Sequence, residues 1–133
     1  MKLQDVTIEK RSTTPIYAQL TEQIRLLVHS GRLKPGDGMP TVRALAVELG
    51  INANTVARVY RDLQRENLLR LERGLGTFVA DGAKAEISER DFEAVESLAG
   101  QLVTLAKKAG LRSGELGRLV DSIWKEGESD VCR

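Results

Sequence analysis

The 133 residues predict a mainly α-helical chain with a small β-hairpin wing: an N-terminal winged helix-turn-helix followed by a short C-terminal two-helix dimerisation unit. Three observations predict it. Aromatic residues make up only 4% of the chain, so its core must come from Leu, Val, Ile and Ala, a composition that favours helices. Apolar residues recur at helical spacing in three successive stretches, the second and third joined by a tight Gly-containing turn. Two short apolar runs then flank "RGLG", the pattern of a hairpin whose loop needs glycine backbone freedom.

The first helix is predicted to start at Thr14-Pro15, with Thr14 accepting an orphan N–H and Pro15 at the first helical position. Ile16, Leu20, Ile24, Leu27 and Val28 form its apolar stripe, and Gly31 ends it. "LKPGDGMP", residues 33–40, is dense in Gly and Pro and predicts a loop. Thr41 opens a short second helix burying Val42, Leu45, Ala46 and Leu49, which Gly50 stops. Asn52 is a good N-cap for the third helix, whose buried face is Val56, Val59, Tyr60 and Leu63. "LLRLE" and "TFVA" supply the strands of the wing. Ser88 with Asp91 three residues on is a capping signature. Phe92, Val95, Leu98, Leu102 and Leu105 then line a long fourth helix that Gly110 ends, and Ser113 leads into a fifth carrying Leu116, Leu119, Val120, Ile123 and Trp124.

This pattern divides the chain into a winged helix-turn-helix domain, residues 1–80, and a short helical segment, residues 81–133. The charges divide at the same place. Residues 1–80 hold 12 Lys and Arg against 8 Asp and Glu, a balance of +4, whereas residues 81–133 hold 8 against 11, a balance of −3. The basic half is the candidate for a polyanion. Two helices in so short a segment cannot bury both of their apolar stripes alone. A second copy of the chain would cover them, through Phe92, Val95, Leu98, Leu102, Leu105, Leu119, Ile123 and Trp124.

Several classes of function find no support in the residues. No run of about 18 apolar residues exists and the first residues lack a secretory pattern, so neither a membrane span nor export is expected and the predicted location is cytoplasmic. Cys132 is the single cysteine and cannot close an intrachain disulfide or build a metal site. His29 is the only histidine and lies in an apolar-periodic helix, and the sequence shows no Cys–His or Ser–His pattern of a catalytic pair, so no catalytic or metal site is predicted. "RGLGTFVADG" lacks the spacing and the terminal lysine of a phosphate loop. No cofactor is implied and no enzyme is predicted.

"PIYAQLTEQIRLLVHSGRLKPGDGMPTVRALAVELGINANTVARVYRDLQRENLLRLERGLGTFVA", residues 15–80, resembles the N-terminal domain of GntR-family bacterial transcription regulators almost end to end. The resemblance covers 66 of 133 residues. Its most specific pieces are "MPTVRALA", "TVARVYRDLQRENLL" and, at a fixed distance, "RGLGTFV". The short remainder is similar to the YtrA-like branch, whose members carry about two helices there instead of a large ligand domain. Many family members have Arg at the position of Ala53; the YtrA-like branch shares the Asn-x-Asn-Thr found here.

The resemblance implies a sequence-specific regulator, a repressor by expectation, that binds a palindromic operator in double-stranded DNA as a homodimer. A recognition helix meets the major groove with its first turn, which places Asn52, Asn54 and Thr55 nearest the bases. Asn pairs bidentately with adenine, and a Thr methyl touches a thymine methyl. Asn54, Arg58, Arg61 and Arg65 stack along the face opposite the apolar one. Arg58 is the expected base reader and Arg61 a phosphate contact. The competing reading pairs Arg58 with Asp62 one turn on and leaves Arg61 or Arg65 merely solvating the helix, and for Arg65, about three turns from the tip, that surface role is the expectation. Asn52 has a competing role as N-cap. The family motif places Arg43 against the phosphate backbone, and Arg73 with Gly74 in the minor groove. An alternative is a winged-helix protein–protein adaptor whose arginine face binds an acidic partner without reading DNA sequence. A repressor that responds to an unknown small-molecule effector is a third alternative.

Overall fold

The computed structural model describes residues 6–83 and 87–131, which leaves Cys132 outside it. In order, the elements are α1 (Ile16–His29), α2 (Val42–Leu49), α3 (Ala53–Arg65), β1 (Leu69–Glu72), β2 (Gly76–Val79), α4 (Glu89–Lys108) and α5 (Ser113–Val131). This is the mainly helical fold with a two-stranded wing that the sequence predicts. The chain forms two compact units, one running to Glu89 and a second from Arg90.

In the first unit the three apolar stripes converge. Leu20, Ile24 and Val28 of α1, Leu45 of α2, and Val56, Val59, Tyr60 and Leu63 of α3 are essentially inaccessible to water, with Leu69 and Val79 of the hairpin closing the same core. Burying each such side chain is worth about 1.5–3 kcal/mol before entropy is counted, so these positions carry the fold. Ile16, Val42 and Leu49 are only half-buried, at the margins. Thr41 caps α2 by accepting the Ala44 N–H at 3.0 Å, and Gly50 ends it with φ of +65°. A side chain at Gly50 would be strained by that φ, and its Cβ would lie 3.1 Å from Lys10 Nζ.

Tyr60 ties α3 to the start of α2. Its buried hydroxyl donates to Pro40 O at 2.8 Å, and burial pushes the phenol well above its ordinary pKa. Tyr60→Phe is expected to cost about 1 kcal/mol, the net worth of one intramolecular hydrogen bond. Urea denaturation measures it. An unchanged midpoint would mean that another donor satisfies Pro40.

Two local expectations need correction. Thr14 does not cap α1: Pro15 holds the N-cap position and no side chain caps the helix there. Two glutamines on α1 bind the preceding segment instead. Gln19 accepts from Glu9 N and donates to Glu9 O and Thr14 O, at 2.9–3.0 Å. Gln23 exchanges a matching pair with Thr7 at 3.0 and 2.8 Å. The amides mimic a strand edge one helical turn apart, and they outcompete a local Thr cap because each makes two or more bonds to backbone.

The second correction concerns residues 33–40, which are not simply loop. Gly36 N donates to Val79 O at 2.9 Å, Val79 N to Asp37 O at 2.8 Å and Met39 N to Thr77 O at 2.8 Å, around an antiparallel bridge between Gly38 and Phe78. The free edge of β2 recruits this stretch, which is too short and too rich in Gly to show a strand period. The wing is thereby fixed to the segment that leads into α2.

In the second unit α4 and α5 close no core of their own. Ala106 alone is buried among its described side chains. On α4, Val95, Leu98, Leu102 and Leu105 remain 41–66% exposed, and on α5 Leu119, Ile123 and Trp124 remain 48–68% exposed. Phe92 is half-buried. Among the described residues no helix is long and apolar enough to cross a membrane.

Candidate nucleic-acid interface

The tip of α3 is shaped by its cap. Asn52 Oδ1 accepts the Asn54 N–H at 2.8 Å, so the competing role foreseen for Asn52 is filled and its oxygen is occupied. This fixes the backbone of the first turn and turns the Asn54 side chain out to solvent, while Thr55 is half-buried. Opposite the core, Arg58 and Arg61 are exposed. The helix thus carries a polar first turn followed by two cations, on a scaffold held by four buried side chains.

Arg58 does not pair with Asp62. Its guanidinium carbon lies 3.9 Å from the centroid of the Tyr17 ring on α1, whereas Asp62 faces Arg65 at 3.7 Å. Arg65 thus has a partner on its own helix surface. Nearby, Nη2 of Arg25 on α1 donates to both carboxylate oxygens of Glu66, which caps α3, at 2.7 and 2.9 Å. Both partners are more than a third exposed, so this bridge steers packing more than it stabilises.

Arg43 stands exposed in the first turn of α2. Thr41 satisfies one of the orphan N–H groups there and the rest stay available to an anion, so charge and helix terminus point to the same ligand class. The wing is a three-residue loop: Glu72 pairs with Gly76, and Leu75 N donates to Glu72 O at 3.0 Å. Arg73 and Gly74 form its tip, both exposed, with Gly74 at φ of +80° and open space where a Cβ would stand. Asn67, at φ of +62°, makes the sharp exit from α3 that leads directly into β1.

Two residues near this surface escaped the sequence reading. Lys10 is delivered to the turn between α2 and α3 by the segment docked on the glutamines, next to Gly50, where a cation also faces the carboxyl end of α2. Arg70 is the other. It pairs with Glu72 on its own strand, lies 3.7 Å from Asp81 and sits 5.1 Å over the Phe78 ring, its cross-strand neighbour. Those contacts make Arg70 part of the wing's support.

The model of the bacterial regulatory proteins of the gntR family matches residues 16–79, from the first residue of α1 to the last of β2. Beyond that span, the HTH-type transcriptional repressor YtrA of Bacillus subtilis (strain 168) is 38% identical over 126 residues, 95% of this chain and 94% of the relative. The chain belongs to the GntR family. The similarity to YtrA-type members runs through both units. It includes the solved structure of YtrA from Sulfolobus acidocaldarius, a GntR-family transcription factor, at 30% identity and a TM-score of 0.52, covering 91% of this chain and 97% of that one. A further relative, the HTH-type transcriptional regulator YhcF of Bacillus subtilis (strain 168), is 35% identical over 106 residues, 80% of this chain and 87% of its own. These GntR relatives are named as regulators, not as enzymes.

Proposed function

We propose that the protein is a sequence-specific DNA-binding transcriptional repressor that acts in the cytoplasm as a homodimer on a palindromic operator. The observation that carries this reading is the outer face of α3, where Asn54, Arg58 and Arg61 stand exposed on a helix anchored to the core by its opposite side. Asn54 and Thr55 contact adenine and thymine edges and Arg58 a guanine, while Arg43 and Arg61 hold phosphates. Asn52 contributes through the amide nitrogen that its cap leaves over. Arg73 enters the minor groove, where the bare Gly74 permits close approach of the backbone.

Dimerisation falls to residues 81–133. The exposed leucine stripes of α4 and α5, with Ile123 and Trp124, form an apolar surface that an isolated soluble chain has no reason to keep. Two copies covering it present two reading helices.

The test is footprinting of the DNA recovered with the protein. The protected sequence should be a near-palindrome with half-sites about 10 bp apart, centre to centre, or a multiple of a helical turn. Protection without an inverted repeat would sink the symmetric dimer. Equal binding to the operator and to a scrambled duplex would point instead to an adaptor with an acidic protein partner.

A further inference from the structure

The contact between Arg58 and Tyr17 has a chemical consequence that an ion pair would not have. A carboxylate partner would occupy two of the guanidinium's N–H donors and cancel its charge. A ring stacked on the guanidinium face leaves the in-plane donors open and the charge intact. Asp62, one turn along α3, is engaged with Arg65, and no carboxylate holds Arg58 among the described residues. The ring is itself well placed to act as a platform: Tyr17 is half-buried in the first turn of α1 and packs on the margin of the core.

We propose that Tyr17 is a positioning residue for base reading, whose ring holds the Arg58 guanidinium flat so that its N–H edge is preset for guanine O6 and N7. The inference rests on Arg58 reading a base. A free arginine side chain would have to surrender rotamer entropy on meeting the groove, and a stacked one has already done so. Selectivity for guanine at one position of each half-site is therefore shared between a residue of the recognition helix and one of α1, which reaches no base itself.

The experiment titrates full-length protein with a duplex carrying the footprinted sequence and with its single-base variants. The proteins are wild type, Tyr17→Phe, Tyr17→Leu, Tyr17→Met, Arg58→Ala and the Tyr17→Leu/Arg58→Ala double variant. Tyr17→Phe keeps the ring and should match wild type. Tyr17→Leu should lose about two- to five-fold per half-site on the cognate duplex, the range of an exposed cation–π contact. It should lose nothing on duplexes lacking the read guanine, and nothing further once Arg58 is Ala. Tyr17→Met, a second ring-free side chain, should behave as Tyr17→Leu does, and covers the case in which Leu disturbs packing. Equal losses on every duplex, or additive losses in the double variant, would reduce Tyr17 to a fold residue and overturn the proposal while leaving Arg58 as a reader. An unchanged base preference in Arg58→Ala would overturn both.

Discussion

A chain ending at Glu89 is expected to be a folded monomer that binds the palindrome about 10²–10⁴-fold more weakly than the full chain. The core of the first unit is complete without the second: its buried cluster runs from Val6 to Ala83, all before that cut. The end point matters. Ala83 is buried and Ile87 N donates to His29 O at 3.1 Å, so a cut at Ala80 would strip contacts that a cut at Glu89 keeps. The loss in affinity needs no lost DNA contact. In a dimer, binding of one half-site holds the second reading helix near the other at an effective concentration of order mM, and the shortened chain forfeits that. Light scattering should show one chain per particle, and fusion to an unrelated dimerising coiled coil should restore much of the affinity if the linker spans the half-sites. A shortened chain that remains dimeric and binds as tightly as before would place the interface in the winged helix and release Leu98, Leu102, Leu105 and Trp124 from the role given them.

The parts of this molecule that were legible in its sequence are those fixed by neighbours along the chain. The three amphipathic helices, the Thr41 and Asn52 caps, the left-handed stop at Gly50 and the glycine loop of the wing follow from periods and turn chemistry that act within a few residues. What escaped depends on partners far apart in sequence. Gln19 and Gln23 look like ordinary polar positions of α1 until Thr7 and Glu9 arrive beside them. Residues 36–39 have no strand pattern until β2 offers an edge. Arg58 has a carboxylate at the ideal helical spacing, and a local rule pairs the two; the Tyr17 ring, from another helix, wins. The same holds for Lys10, whose place beside Gly50 no motif records. The exposed face of Asn54, Arg58 and Arg61 was therefore legible in the sequence, and the contacts around it were not.

The sorting of the arginines makes the second large expected effect, because a base contact and a phosphate contact fail differently. Arg58→Ala should cost on the order of 1–3 kcal/mol on the cognate operator and relax preference at one position of each half-site. That is roughly a five- to 150-fold loss, concentrated on the correct sequence. Arg43→Ala should weaken all duplexes alike, since a phosphate carries no sequence information. It should also lower the slope of log affinity against log salt by about one per half-site, because each cation that meets a phosphate releases a condensed counterion. Its placement supports this assignment: Arg43 stands exposed in the first turn of α2, where the uncapped N–H groups of the helix add to its field. Arg58 has the opposite setting, held against a ring whose contact leaves its donors free. Affinities of both variants for cognate and scrambled duplexes, measured across a salt series, separate the two roles in one experiment. A uniform loss with a shallower slope in Arg58→Ala would move Arg58 to the phosphates, and base reading by α3 would then fall to Asn54 and Thr55 alone.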